Sequence, residues 1–212
     1  MKLFQPDKGN TLPYIFFVTY LRHVNLNKSI FINMNVYRFV LKLAGWTTSG
    51  TLPEDKKCIV IAAPHTSNWD FVLGWLYYKS LGGKVQVMIK EDLFVFPLGI
   101  ILKWMGAIPV DRRPGNRMVE KMAQEFTKLE SLHLAIAPEG TRGKVNDWKK
   151  GFLLIARRAE VPIYMAYADY KKKHLGFLGK FYTTEDVSAD MKNLQKNYEG
   201  ITPRHPGNFA TS

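Results

Sequence analysis

From residue 58 onward the chain alternates short β-branched apolar runs with longer stretches whose apolar positions recur three and four apart. Short continuous runs with few polar interruptions are the pattern of strands buried on both faces, and the wider spacing is that of helices with one apolar side. The pattern predicts strands at 58–63, 84–89, 107–110, 132–137 and 161–168, with a weaker one at 173–182 around two glycines. Between and after them it predicts helices at 71–81, 116–130, 151–160 and 186–198. Pro162 falls at the start of its strand, where a missing N–H is tolerated. Strands alternating with helices predict an α/β fold with a mostly parallel or mixed sheet and helices on both faces.

Upstream, residues 35–46 form a basic amphipathic pattern, with Arg38 and Lys42 one helical turn apart among Val36, Tyr37, Phe39, Val40 and Leu41. This helix serves either as an interfacial membrane anchor or as a helix packed on the body of the domain. Residues 1–33 read poorly as a core segment. Their apolar patch at 14–18 follows Asp7 and Pro13 and lacks the small-residue cleavage site of a signal peptide. Met34 opens the cleaner pattern, and translation starting there would keep it whole. The expected organisation is a helical, interfacial segment at 1–46, with 1–33 set apart from the core, followed by one α/β domain at 47–212. Residues 47–57 are expected to be a polar loop around Gly50 and Pro53.

Composition changes the picture in two ways. The net charge of +12, from 30 Lys and Arg against 18 Asp and Glu, favours polyanions: nucleic acid, anionic lipid or phosphorylated substrates. No nucleic-acid-binding motif accompanies it, so nucleic acid is not expected as a partner. The single cysteine, Cys58, cannot form an internal disulfide and reads as a small buried strand residue, and no Cys/His spacing suggests zinc. No run reaches the 18 or so apolar residues of a spanning helix. The apolar run 93–102 is interrupted by Pro97 and Gly99; it lines an acyl path, dips into lipid, or belongs to the buried core.

Candidate chemistry collects at three strand ends. After the first, His65 and Asp70 flank the start of a helix. Asp70 either closes a capping box with Ser67 or accepts the Nδ1 proton of His65, leaving Nε2 as a base. No Gly-x-Ser-x-Gly elbow occurs, so a basic His65 would act on a nucleophile brought by the substrate. After the 132–137 strand come Glu139, Gly140, Thr141, Arg142, Gly143 and Lys144. This is either a tight charged turn or a phosphate site in which Arg142 offers a planar fork, Lys144 a point charge, and Glu139 a carboxylate to hold the arginine. After 107–110, Asp111, Arg112 and Arg113 form either a surface salt bridge or a second phosphate contact. If the sheet is parallel there, all three ends meet on one rim.

Together these blocks resemble the glycerolipid (lysophosphatidate) acyltransferase family. His65 and Asp70, with four residues between, resemble its His-x4-Asp motif; 106–112 resembles its second block; 138–142 resembles its Glu-Gly-Thr-Arg signature; and 161–166 resembles its proline-containing fourth block. All four stand in the family's order over about residues 50–170. The resemblance implies an α/β domain with an N-terminal helical membrane motif and a peripheral position on the cytoplasmic face of the membrane. It implies transfer of a fatty acyl group from a thioester of coenzyme A or acyl carrier protein to the hydroxyl of a lysophosphatidate-like acceptor, with no bound cofactor and no metal. His65 would be the base, Asp70 its orienter, and Arg112 with the loop of Glu139, Gly140, Thr141 and Arg142 the holder of the acceptor phosphate. The alternatives are the same chemistry on another lipid acceptor, and a non-catalytic basic module that binds anionic lipid or nucleic acid.

Overall fold

Strand β2 (Lys57–Ala62) sets the plan of the molecule: its four central residues are buried, and successive side chains leave on opposite faces. Ile59 and Ile61 enter one core, with Leu134, Ile163, Phe126 and Leu153, while Cys58 and Val60 enter another with Tyr78 and Val85. Each such fully buried aliphatic side chain contributes about 1.5–3 kcal/mol relative to exposure. The structure, a computed structural model, describes residues 35–111, 117–145 and 147–209. Val36–Ser212 forms one compact unit. The expectations for residues 1–33 lie outside the described residues.

The remaining strands are β1 (Thr47–Thr48), β3 (Gln86–Lys90), β4 (Ala107–Val110), β5 (Leu132–Ile136), β6 (Ile163–Asp169) and β7 (His174–Phe181). They form one sheet in the order β1-β7-β6-β2-β5-β3-β4. From β6 through β4 all neighbours are parallel; β7 is antiparallel to β6, and β1 runs parallel to β7. The sheet is therefore mixed. The carboxyl ends of β2, β5 and β4, which carry the three candidate blocks, lie on one rim as a parallel sheet requires.

Helices cover both faces. On one side lie α4 (Met118–Lys128), α5 (Gly151–Ala159) and α6 (Val187–Asn197), whose Phe126, Phe152, Ile155, Met191 and Leu194 pack on β2, β5 and β6. On the other lie α1 (Val36–Leu43) and α2 (Asn68–Ser80), joined through Leu41, Leu73 and Tyr77. A short helix, α3 (Leu98–Trp104), follows β3.

Three local expectations change. Residues 47–57 are not all loop, because Thr47 and Thr48 pair with His174 and Leu175 as β1. The 71–81 helix begins three residues earlier, at Asn68, because Ser67 caps it. The 35–46 helix ends at Leu43; Gly45 takes a left-handed φ of 78°, and Trp46 turns back into the core.

Candidate active site

The site begins where β2 leaves the sheet and α2 starts. Ser67 Oγ accepts from the N–H of Trp69 at 3.2 Å, and Asp70 Oδ2 accepts from the N–H groups of Thr66 and Ser67, both at 2.7 Å. The capping box is therefore formed. The same Oδ2 lies 3.5 Å from His65 Nδ1, long for a hydrogen bond. The cap does not take Asp70 away from His65. The helix start holds the carboxylate still, and the held carboxylate faces the imidazole. Its other oxygen, Oδ1, accepts from Tyr170 Oη at 2.5 Å. Burial and that bond to Asp70 raise the Tyr170 phenol well above its ordinary range, so it remains a donor.

Glu139 arrives from the end of β5. It is 2% exposed, and its Oε1 accepts from the N–H of His65 at 2.8 Å. It supports the histidine from beneath rather than holding Arg142. Burial pushes its carboxyl up to about 7, against the pull of the His65 N–H and with the push of the Asp70 charge. Among the described residues its second oxygen, Oε2, has no hydrogen-bond partner, and neither does Trp148 Nε1.

Gly140, at a φ of 68°, turns the chain beside Lys149, whose Cγ would lie 3.2 Å from an added Cβ. Its N–H donates to the Ala137 carbonyl at 3.1 Å, so this amide is already engaged within the turn. Beyond it, the Arg142 guanidinium donates to Asn68 Oδ1 and the Arg142 carbonyl accepts from Asn208 Nδ2 at 3.2 Å. An open polar hollow of about 560 Å³ lies here, walled by Thr66, Ser67, Asn68, Thr141, Arg142 and the tail residues His205 and Asn208. Its described walls include no carboxylate. Lys144 is exposed beyond this wall.

His65, Asp70, Glu139 and Arg142 are thus brought together, with Gly140 and Thr141 in the connecting turn. Arg112 lies outside the described residues. Tyr170, Asn68, His205 and Asn208 are additions the sequence did not single out. Asn68 sat in view within the first block. The other three occupy a strand end and a polar tail with no pattern to mark them. Cys58 is fully buried, and burial pushes its thiol up to about 12. Among the described residues no group of three or more His, Cys, Asp or Glu side chains is placed to hold a metal ion.

The chain has known relatives. The family model described as acyltransferase matches residues 46–167. Human 1-acyl-sn-glycerol-3-phosphate acyltransferase beta is 30% identical over 147 residues, which cover 66% of this chain and 51% of that protein. The chain spans about half the length of this curated relative. Among solved structures, the 1-acyl-sn-glycerophosphate (LPA) acyltransferase of Thermotoga maritima superposes with a TM-score of 0.55 at 16% identity, covering 91% of this chain and 90% of that one. At that identity the likeness is one of fold.

Proposed function

This chain belongs to the acyltransferase family, and from that premise we propose that it transfers a fatty acyl group from an acyl thioester to the hydroxyl of a lysophosphatidate-like glycerophospholipid. The observation that carries the proposal is the Asp70 carboxylate, immobilised by two backbone N–H groups and a tyrosine hydroxyl, facing His65 beside a hollow whose described walls include Arg142 and no carboxylate.

In this mechanism Asp70 holds the Nδ1 proton of His65, and Nε2 takes the proton of the acceptor hydroxyl as its oxygen attacks the thioester carbonyl carbon. The carbonyl π electrons move onto oxygen, giving a tetrahedral oxyanion. The Thr66 and Ser67 hydroxyls, each already accepting one backbone N–H, retain their protons to donate to it. Collapse breaks the C–S bond, and the imidazolium returns its proton to the leaving thiolate. Ester and free thiol are the products, and no acyl-enzyme forms. Arg142 holds the acceptor phosphate and so aims the hydroxyl; its fork suits two phosphate oxygens. Arg112 joins it in this proposal on resemblance alone. The donor is the coenzyme A or acyl carrier protein thioester, with no bound cofactor, and the chain works peripherally at the cytoplasmic face of the membrane. Among the described residues no helix is long and apolar enough to cross a membrane.

The test gives purified full chain a labelled acyl thioester on either carrier and a panel of lysophospholipids, lysophosphatidate included, beside His65→Ala. Transfer by wild type and a loss of about 10²–10⁴ in the variant are expected. Transfer that survives the substitution removes His65 from the chemistry. Preference for a larger headgroup replaces the acceptor while leaving the mechanism.

A further inference from the structure

Exposed apolar side chains concentrate in one short stretch. Leu93, Val95, Phe96, Ile100, Ile101 and Trp104 are all exposed, Phe96 by 87% and Trp104 by 73%. The apolar run 93–102 is therefore not buried core. Only Gly99 and Leu102 of α3 are buried, so the helix is held on its inner side while its outer side carries Ile100, Ile101 and Trp104. A patch of this density on a folded chain marks a surface that something covers.

The patch does not stand alone. Trp104 packs on Trp75 of α2 at 5.5 Å between ring centroids, and Trp75 packs edge-on against Tyr37 of α1 at 5.6 Å. This aromatic row joins α3 to α1, whose Val36, Val40 and Leu43 are also exposed. The aromatic row carries Lys79, whose ammonium lies 5.8 Å over the Trp75 ring, and α3 carries the exposed Lys103. The nearby acids are Glu91 and Asp92 at the root of the segment, where Asp92 pairs with Lys90. The segment also leaves the carboxyl end of β3, on the rim where His65 and Glu139 emerge.

We propose that residues 93–104 enter the interfacial layer of an anionic lipid bilayer and hold the rim of the sheet against it. Three observations favour lipid over a protein occupant. The apolar side chains of 93–104 stand out from the surface, Phe96 and Trp104 furthest. A tryptophan and lysines accompany them, the residues that settle at the headgroup level with their stems in the acyl region. The cationic surround matches an anionic surface. The proposal rests on the peripheral-membrane part of the function above and not on its chemistry.

The experiment uses the full chain with an environment-sensitive fluorophore on Phe96→Cys, the native thiol being buried. A second sample carries it on Ser131→Cys, exposed just before β5 on the opposite rim of the sheet. Vesicles are phosphatidylcholine with or without phosphatidylglycerol, some with brominated acyl chains. At position 96 a blue shift and bromine quenching are expected, stronger with the anionic lipid; at position 131 neither is expected. Replacing Phe96 and Ile100 together by Asp is expected to lower vesicle partition about tenfold or more. Transfer to a short-chain, monomeric acceptor stays unchanged in that variant. A fluorophore at 96 that remains in water on vesicle-bound protein overturns the proposal. So does a double variant that partitions like wild type, including one that merely turns a dimer of this chain into monomers. If wild type transfers no acyl group yet the fluorophore at 96 enters lipid, the docking face stands and the enzymatic reading falls.

Discussion

Tyr170 donates its hydroxyl to Asp70 Oδ1 at 2.5 Å, so the carboxylate that faces His65 is gripped from the side away from the imidazole. The tyrosine ring is itself set edge-on against Trp46, 5.0 Å between centroids. Tyr170→Phe keeps this packing and removes only the grip. We expect kcat to fall about tenfold with KM little changed, and stability to drop by about 1–2 kcal/mol, since hydrogen bonds to charged groups exceed neutral ones. Steady-state kinetics and urea denaturation read the two effects separately. A variant with unaltered kcat would show that the backbone donors suffice to orient Asp70.

Glu139 makes stability depend on pH in an unusual sense for a carboxylate. Its folded-state value of about 7 lies above the ordinary 4.5, so the folded chain keeps the proton to higher pH than the unfolded chain. Stability from this group is thus fully present below about pH 4.5, declines as pH rises towards 7, and levels off above. The full loss is about 3 kcal/mol as an upper bound. Glu139→Gln retains an oxygen for the His65 N–H and removes the ionisation. Urea midpoints at pH 5 and pH 8 are expected to differ less in the variant than in wild type, with the variant the more stable at pH 8.

Arg142 is expected to act on the acceptor and not on the donor. Arg142→Ala should lower kcat/KM for a phosphate-bearing acceptor about 10- to 100-fold, the loss of one or two charge-assisted hydrogen bonds. Arg142→Lys should recover little of it, because an ammonium replaces neither the fork nor its bond to Asn68. The KM for the thioester, measured at saturating acceptor, should not move.

The thiol of Cys58 is expected to be chemically silent. It is completely buried and pushed up to about 12, so alkylation at pH 8 should proceed in urea and stall in the native protein. Cys58→Ala should keep transfer activity at the cost of about 1 kcal/mol or so of packing. Loss of transfer with the fold intact would point to a thioester on the protein and contradict the single-step route.

What the sequence made legible was whatever repeats or sits in a local motif. β2, β5 and β6 are buried enough to read as largely apolar runs, and the first block displayed both its cap and the His65–Asp70 pair. α3 escaped because Pro97 and Gly99 resemble breaks. Pro97 in fact stands at the helix start, where no N–H is needed, and Gly99 packs where an added Cβ would lie 2.7 Å from the Phe94 carbonyl oxygen. The support Glu139 gives to His65 spans 74 residues, and the grip of Tyr170 on Asp70 spans 100. Neither has a local signature, and a glutamate beside an arginine invites the nearer, mistaken pairing. β1 is two residues long and exists only because β7 offers an edge to it.

The tail that carries His205 and Asn208 lies well past residue 167, where the match to the family ends, and yet it reaches back. The His205 N–H donates to Thr66 Oγ1 at 3.2 Å, and Asn208 meets the carbonyl of Arg142. A fragment cut at the family boundary would keep the imidazole and its carboxylate partner. It would also lose the Tyr170 hydroxyl, the antiparallel strand beside β6 and one wall of the polar basin. Expression boundaries for this protein therefore belong beyond Asn208, because a shorter chain lacks the residues that close this side of the basin.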